Sequence, residues 1–480
     1  MCGILGIIGK DNVIDEIVTG LLTIQHRGQD AAGAVTFGKK FNLKKGIGLV
    51  QNVFNKKNMA RLEGDMAIGH VRYPTVGTYE ETETQPFYIN SPYGIALAHN
   101  GNVINYRELK AELQKKELRY INSHCDAELI LNVLGTQLSR FREFNVSNLF
   151  TAVKKTFDAI QGSYSVISII GENGLLAFRD PHGIKPLTFG KKENSFAFAS
   201  ESVALDILGY EIINDVLPGE AIFIDRKGNL SRKRLTNSFH SPCIFEWIYF
   251  ARPDSIIDRI SVYEARFRLG KKLAEEIQKQ NIKPDVVIPI PDTSRAAALA
   301  LAEEIGVNYR EGLIKNRYIA RTFIMSSQTQ RISAVRNKLN PIRNVINGKN
   351  ILLVDDSIVR GNTSKEIVNL VRKAGARNVY FSSYSPPLRY PCLYGIDMQI
   401  RNEFIAKEKS IAEIEENIGC DKLVYQTMDA LLSSLQIGNK NEFRFFCTAC
   451  FDGNYPTKVS ENKFKEIEKD RIESKKYIQQ

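Results

Sequence analysis

Residues 351–364 read ILLVDDSIVRGNTS, and this stretch decides the architecture of the C-terminal half of the chain. Its first four residues, Ile351 to Val354, form the short apolar run of a buried strand. Thr363-Ser364-Lys365-Glu366 then has the T-x-x-E spacing of a capping box and opens an apolar-periodic helix. A strand therefore feeds a loop that ends at a helix N-terminus, where unpaired backbone N–H groups and the positive end of the dipole favour an anion. Gly361 in that loop lets the backbone close on a ligand. The result is a phosphate cradle. It is not the nucleoside-triphosphate version, because no G-x-x-x-x-G-K-[ST] occurs. Asp355 and Asp356 would repel a phosphate by themselves; they fit a ligand that also carries hydroxyls and shares a divalent cation. A phosphorylated sugar meets both conditions. A lone acid pair followed by glycine would be an ordinary strand-to-helix turn, but the whole string is far more specific.

At 480 residues the chain is too long for one core, so two domains plus appendages are expected. A make-up of 43% hydrophobic, 25% charged and 9% aromatic residues is that of a globular protein. No apolar run reaches transmembrane length and no basic segment precedes a hydrophobic one at the N-terminus, so a soluble, cytoplasmic protein without a membrane partner is expected. The formal net charge is +11, but the lysines are spread out without a basic stripe interleaved with aromatics. That pattern argues against nucleic acid and for small anionic substrates. Seven cysteines in a chain of this size are no disulfide scaffold and point to catalysis or metal.

At the N-terminus, Met1-Cys2-Gly3 runs into the apolar strand ILGIIG. Removal of Met1 leaves Cys2 with a free α-amine, so that one residue holds both a nucleophilic thiol and a base for it. Ile14, Ile17, Val18, Leu21 and Leu22 mark one face of a helix that stops near Gly28, within QHRGQDAAG (25–33). A strand at 66–71 leads into HVRYPTVG (70–77), and another at 95–98 leads into HNGNV (99–103). Polar clusters at strand ends are where binding residues concentrate. Asn100-Gly101 reads either as a hairpin turn or as an amide and a backbone N–H aimed at a developing oxyanion. Arg72 offers the fork that holds a carboxylate. Asp126, just before AELILNVL, can hold an ammonium group.

Together these residues resemble the class II glutamine amidotransferases. The resemblance implies an N-terminal nucleophile αββα sandwich, with Cys2 as nucleophile and Asn100 with Gly101 as oxyanion hole. It also implies that Arg72 binds the glutamine α-carboxylate, that Asp126 binds the α-amine and that Arg27 shapes the cysteine pocket. Further strands are expected at 163–170, 174–178, 196–199 and 221–224, with the family's RDPHGIKPL-type segment at 179–187. This glutaminase domain is expected to span 2–235 and to end where Arg232, Lys233 and Arg234 make a charged crossing.

The second domain, expected over 236–457, opens with CIFEWIYFARPDS (243–255) and has its first parallel strand at 286–290. The PDTSRAAALALAEEIG segment after it suits a loop packed close to pyrophosphate, or a plain βα connection. The Lys/Arg-rich stretches GLIKNRYIARTFI (312–324) and SSQTQRISAVRNKL (326–339) lie between two phosphate loops and read as a mobile lid. The 351–364 string resembles the phosphoribosylpyrophosphate (PRPP) motif of phosphoribosyltransferases, which implies a parallel α/β sheet domain; the fold class is thus α/β and α+β. The resemblance assigns PRPP binding to Asp355, Asp356, Ser357, Arg360, Gly361, Asn362 and Thr363, with Lys315 and Arg317 from the lid. It assigns Mg²⁺ to Asp355, Asp356 and the Thr293 hydroxyl. Arg295 stands where many relatives carry something smaller, and no role is assigned to it.

Both halves in this order resemble the glutamine phosphoribosylpyrophosphate amidotransferase family, from Cys2 to about Thr457; residues 458–480 are a mixed-charge tail, helical or frayed. The implied reaction releases ammonia from glutamine at Cys2 and adds it to C1 of PRPP, giving 5-phosphoribosylamine, glutamate and pyrophosphate. That is the first committed step of purine (IMP) synthesis. The family implies purine nucleotides as feedback inhibitors, a homotetramer, and a lid whose Tyr318, Arg321 and Phe323 gate and line an ammonia channel. Cys447-Thr448-Ala449-Cys450 by itself reads as redox-active, zinc-binding or incidental. Cys243 and Cys392 can complete a four-thiolate set, and spacing does not choose between zinc and a 4Fe-4S cluster. The resemblance chooses the cluster, through CIFEWIYFARPDS, PCLYGIDM and CTACFDGNYPT, which look like the iron–sulfur cluster-bearing branch. Cys125 and Cys420 read as buried small hydrophobes. Cluster-bearing relatives commonly carry a propeptide, whereas here Met1 alone precedes Cys2, so methionine removal alone should mature the enzyme.

Two other readings compete. An amidotransferase with another acceptor would need another synthase domain, and the S-G-G-x-D-S loop of asparagine synthetases is missing. A PRPP-sensing regulator would keep 351–364 but would have no use for Cys2 with Arg72, Asn100 and Asp126.

Overall fold

The computed structural model describes residues 1–73, 80–316, 339–398, 400–436 and 445–479, with side chains to 472. In its first half two antiparallel sheets face each other. One has seven strands in the order Glu211–Asp215, Thr188–Lys192, Ser195–Ala199, Gly3–Ile8, Met66–Arg72, Ala31–Phe37, Phe41–Ile47. The other has six, in the order Leu230–Arg234, Glu220–Asp225, Gly174–Arg179, Gly162–Ile170, Ile95–Val103, Phe87–Ile89. Alternating residues such as Ile4, Ile68, Ala98, Ile167 and Ile222 fill the space between the sheets. The other faces carry helices: Ile14–Thr23 and Ser202–Ile207 cover the first sheet, and Asp126–Ser139 with Val146–Ala159 cover the second. This is the αββα sandwich that the N-terminal sequence implied.

The second half is a five-stranded parallel sheet in the order Asn308–Tyr309, Val286–Pro289, Asn350–Asp355, Asn378–Ser383, Lys422–Tyr425. Helices Val262–Lys279 and Arg295–Ile305 pack on one face, Asn362–Lys373 and Ile411–Ile418 on the other. Burial on both faces explains why its strands are continuous apolar runs. One core joins the halves, since Met1, Ile104 and Ile184 pack with Trp247, Tyr384 and Leu393.

Several sequence expectations are corrected. HNGNV does not follow a strand: Ile95–Val103 is one strand, and Asn100 and Gly101 pair with Ser165 and Tyr164 inside the sheet, so no hairpin forms there. Arg232, Lys233 and Arg234 are no crossing; they belong to the edge strand Leu230–Arg234, whose outward basic side chains suit a sheet edge. The Thr363–Glu366 capping box is not formed either. The helix begins earlier, at Asn362, and its N-cap is Gly361 with φ 78°, without a side-chain cap. Of the two forms expected for the tail, helical or frayed, it takes the helical one, as Glu461–Gln479. It is tied to both halves, through Lys463 to Glu108 at 2.6 Å and through Arg401 to Glu461 at 2.7 Å. Among the described residues no helix is long and apolar enough to cross a membrane.

Candidate functional site

The first site forms where the two sheets meet at their ends. Cys2 immediately precedes the central strand Gly3–Ile8 and is part-exposed among buried neighbours. Its backbone N–H donates to Asn100 Oδ1 at 3.3 Å, and its carbonyl accepts from Arg27 Nε at 3.0 Å. Its Sγ lies 3.7 Å from the Tyr73 carbonyl. The amide of Asn100 is thus oriented by the nucleophile itself, and its Nδ2 is left buried without a partner. An unspent buried N–H is costly unless a ligand takes it up. Gly101, beside it, has φ 153°, and a Cβ there would stand 2.0 Å from the Ser163 carbonyl oxygen, so glycine is required for the strand to pass.

Arg72 ends the strand Met66–Arg72 and is buried. It acts electrostatically on the Cys125 thiol, and Cys125 is the N-cap of the helix that Asp126 opens, so the two residues expected to hold an amino acid lie near each other. Asp126 accepts the Val103 N–H at 3.0 Å and stands 3.5 Å from His99 Nδ1. His99 was part of the motif but was given no role; burial lowers its pKa, which favours the neutral ring. Met1 is still in place ahead of Cys2. Burial pulls its α-amine down to about 5, and its Sδ is met by Lys185 Nζ at 2.6 Å.

The second site lies at the carboxyl ends of two neighbouring parallel strands, the place where open α/β sheets bind ligands. Pro289 and Val354 are register partners, so the loop 290–294 and the loop 356–361 leave the sheet side by side. Burial and then Asp356 raise the Asp355 carboxyl well above the usual range, while burial raises Asp356 to about 6 against the Ser357 hydroxyl bond and Arg266. Adjacent acids raised by burial, one of them also opposed by its neighbour, suit a shared divalent cation. Ser357 Oγ donates to Asp356 Oδ1 at 2.5 Å. Asn362 and Thr363 are exposed at the helix N-terminus. A Cβ on Gly361 would meet Ile405 Cδ1 at 2.4 Å, in addition to its left-handed backbone.

Lys315 and Arg295 both hold Asp292, each at 3.1 Å, and Arg295 also reaches Glu311 at 3.1 Å. Arg295, which the sequence left without a role, thus braces the loop that carries Thr293. Arg360 is paired with Glu403. Arg317, Tyr318, Arg321 and Phe323 lie outside the described residues, as does the expected lid apart from 312–316 and 339.

Cys243, Cys392, Cys447 and Cys450 are all buried and free. Cys243 and Cys447 pair as an isolated parallel β-bridge of the backbone, and Cys243, Cys392 and Cys447 each act electrostatically on the Cys450 thiol. Burial pushes Cys243 up to about 11 and raises the thiols of Cys447 and Cys450 well above the usual thiol range. Two buried cations lie beside this group. Lys185 acts on Cys243 and Cys447, and Arg471 donates to the Cys392 carbonyl at 3.1 Å with Nε and Nη2 unpartnered. Among the described residues no three Cys, His, Asp or Glu side chains close to metal-ligand geometry. The thiols nonetheless fit an anionic tetrathiolate centre, since buried cations need compensating charge.

Sequence reasoning missed Glu201 and Glu246, which hold Arg27. A signal existed for the second: Glu246 is a lone acid in the apolar run CIFEWIYF, the mark of a buried, paired charge.

The fold and these two sites define a glutamine amidotransferase joined to a phosphoribosyltransferase. Profiles described as "Glutamine amidotransferase domain" and "Phosphoribosyl transferase domain" match residues 70–206 and 257–382. The chain is 48% identical to the amidophosphoribosyltransferase of Pseudomonas aeruginosa over 99% of its own length and 97% of the relative's. It is 47% identical to that of Escherichia coli, over 95% and 93%. Glutamine PRPP amidotransferase from B. subtilis, solved with ADP and GMP, superposes with a TM-score of 0.87 at 38% identity, covering 96% of this chain and 98% of that one. The chain belongs to the amidophosphoribosyltransferase family, whose reaction is the glutamine-dependent amination of PRPP at the first committed step of purine synthesis.

Proposed function

We propose the following division of labour for that reaction. The Cys2 thiolate attacks the glutamine carboxamide, its proton passing to the α-amine that Met1 removal exposes. Asn100 Nδ2 and the Gly101 N–H receive the tetrahedral oxyanion. Arg72 holds the substrate α-carboxylate and Asp126 its ammonium. Ammonia leaves with that proton, and water clears the thioester as glutamate. At the second site Asp355 and Asp356 bind the ribose hydroxyls, and the N–H groups of 357–363 with Ser357 and Thr363 cradle the 5-phosphate. Lys315 faces the pyrophosphate, as would Arg317. Ammonia attacks C1 and pyrophosphate departs. Bound Mg²⁺, held by Asp355, Asp356 and Thr293, would neutralise charge on the leaving group. Arg360 would have to leave Glu403 to reach PRPP.

Cys243, Cys392, Cys447 and Cys450 would hold a 4Fe-4S cluster, a reading supported by four free buried thiols beside Lys185 and Arg471. The domains would span 2–235 and 236–457, with 458–480 as a charged C-terminal tail. A cytoplasmic homotetramer with purine-nucleotide feedback completes the reading; the B. subtilis relative, solved with ADP and GMP, supports the nucleotide part.

The observation that carries the assignment of the first site is Asn100, with its oxygen on Cys2 and its nitrogen unspent. Asn100→Asp turns that donor into an acceptor. Glutamine-dependent kcat should fall about 100- to 1,000-fold, while synthesis from free ammonia persists. Unchanged glutamine use would overturn the assignment.

A further inference from the structure

Arg27 is a buried guanidinium, 2% exposed, on the short turn Gln25–Arg27. Its Nε holds the Cys2 carbonyl at 3.0 Å. Nη1 donates to Glu201 at 2.6 Å and to Glu246 at 3.1 Å, and Nη2 donates to Glu246 at 2.9 Å. Glu201 belongs to the glutaminase half, but Glu246 comes from the other one, three residues beyond Cys243 in the turn Glu246–Phe250. The carboxylates cross the boundary in both directions, because the second oxygen of Glu201 takes the Arg252 N–H at 2.9 Å and the Ser255 hydroxyl at 2.7 Å.

We propose that Glu246 is a positioning residue for the glutaminase reaction, contributed by the phosphoribosyltransferase half. The inference rests on Cys2 being the nucleophile. A guanidinium is planar and rigid, so pinning Nη1 and Nη2 fixes the direction of Nε. Nε in turn fixes the Cys2 carbonyl, while Asn100 Oδ1 fixes its nitrogen. With the main chain of the nucleophile clamped at both ends, only the thiol rotor remains to be set. Without Glu246 the guanidinium has Glu201 alone and turns toward it, and the grip on Cys2 loosens. Glu246 is itself anchored. Arg266 donates to the Trp247 and Ala251 carbonyls, both at 2.8 Å, and Tyr384 to the Ile248 carbonyl at 2.7 Å. Arg266 also lies near enough to Asp356 to oppose the burial that raises its carboxyl. Tyr384 in turn donates its N–H to the Asp355 carbonyl at 3.1 Å, so the clamp is fastened to elements that lie beside the acid pair of the other site.

The test is steady-state kinetics on the full-length enzyme. Glu246→Gln should lower glutamine-dependent kcat by about 10- to 100-fold, the cost of roughly an ångström of misplacement. The KM for glutamine and the ammonia-dependent rate should each stay within about threefold, since Arg72, Asp126 and the PRPP site are untouched. Glu246→Asp, which restores the charge, should recover part of the loss. Arg27→Lys removes Nε and should show the same split, and combining it with Glu246→Gln should add nothing, because both act through one contact. Parallel loss of glutamine- and ammonia-dependent rates, or fully additive losses in the double variant, would overturn the proposal in favour of plain structural support. If Glu246→Gln does not fold, Glu246→Asp with Arg27→Lys carries the same cycle. Cys2→Ala that still used glutamine would instead overturn the nucleophile reading beneath it.

Discussion

Around Cys2 the polar groups are already spent on one another: its nitrogen on Asn100, its carbonyl on Arg27, and Arg27 on two buried glutamates. Around Asp355 and Asp356 the situation is reversed. Burial raises both carboxyls and Asp356 raises Asp355 further, and Asn362 and Thr363 stand exposed at a helix end. The first site is organised before substrate arrives, and Asn100 Nδ2, without a partner among the described residues, is the donor proposed for the oxyanion. The second stores an electrostatic cost that a cation and a phosphorylated sugar relieve. The contrast follows the chemistry: amide attack needs a fixed nucleophile and a fixed hole, whereas displacement of pyrophosphate needs charge to be neutralised where it leaves.

The sharpest way to break the contrast is Cys2→Ala. Glutamine-dependent synthesis should fall by at least about 1,000-fold, with ammonia-dependent synthesis retained, because only the ammonia source is lost. Parallel loss of both would mean that the sites are not separable.

Asp355→Ala or Asp356→Ala should do the converse and depress both activities together. Losing charged hydrogen bonds to PRPP and its metal should weaken binding about 10- to 100-fold, measurable by calorimetry with Mg²⁺ and PRPP. Normal affinity in both variants would remove the acid pair from the site.

A third effect concerns what holds the C-terminus. Metal–thiolate ligation contributes on the order of 10 kcal/mol in small sites, and the proposed cluster on the four free cysteines would tie three distant stretches together. Cys447→Ser should therefore expose 445–457 to protease before the rest of the chain, and anaerobically purified wild-type protein should contain iron and sulfide. Zinc in place of iron would overturn the cluster but keep the staple; a metal-free protein with a protease-resistant C-terminus would overturn both.

The smallest effect lies at a boundary that neither site uses. Burial and then Asp258 raise the Asp215 carboxyl to about 7, while Arg179 holds Asp258 at 2.8 Å with His240 at 3.6 Å. A carboxyl raised in the folded state contributes stability that is full below its unfolded pKa of about 4 and is lost as pH rises through about 7. Asp215→Asn keeps an acceptor for Thr188 and should flatten the fall in urea stability between about pH 4 and 7. An unchanged slope would show that Asp215 does not titrate there.

The acid-pair site was legible because its parts are contiguous: strand, acids, Gly361 and helix fall within fourteen residues whose local physics needs nothing distant. In its strand–loop–helix structure only the helix start was misplaced, since the left-handed Gly361 begins the helix before Thr363 can cap it. The Cys2 site is assembled from five separate stretches, and its residues were found through resemblance rather than local pattern. Glu201 and Glu246 escaped notice because a buried ion pair leaves a local mark only as an acid among apolar neighbours, and its partner is set by tertiary packing. Lys185 and Arg471 escaped for the same reason, the latter from a helix that sequence alone read as a tail.

The central claim is that one chain couples a preorganised glutaminase to a charge-relieved PRPP site. Counting glutamate and pyrophosphate in one reaction with glutamine, PRPP and Mg²⁺ tests it most directly. The account predicts equal amounts of both, with pyrophosphate release requiring glutamine or ammonia. Pyrophosphate formed without either, or glutamate accumulating while PRPP stays intact, would contradict it.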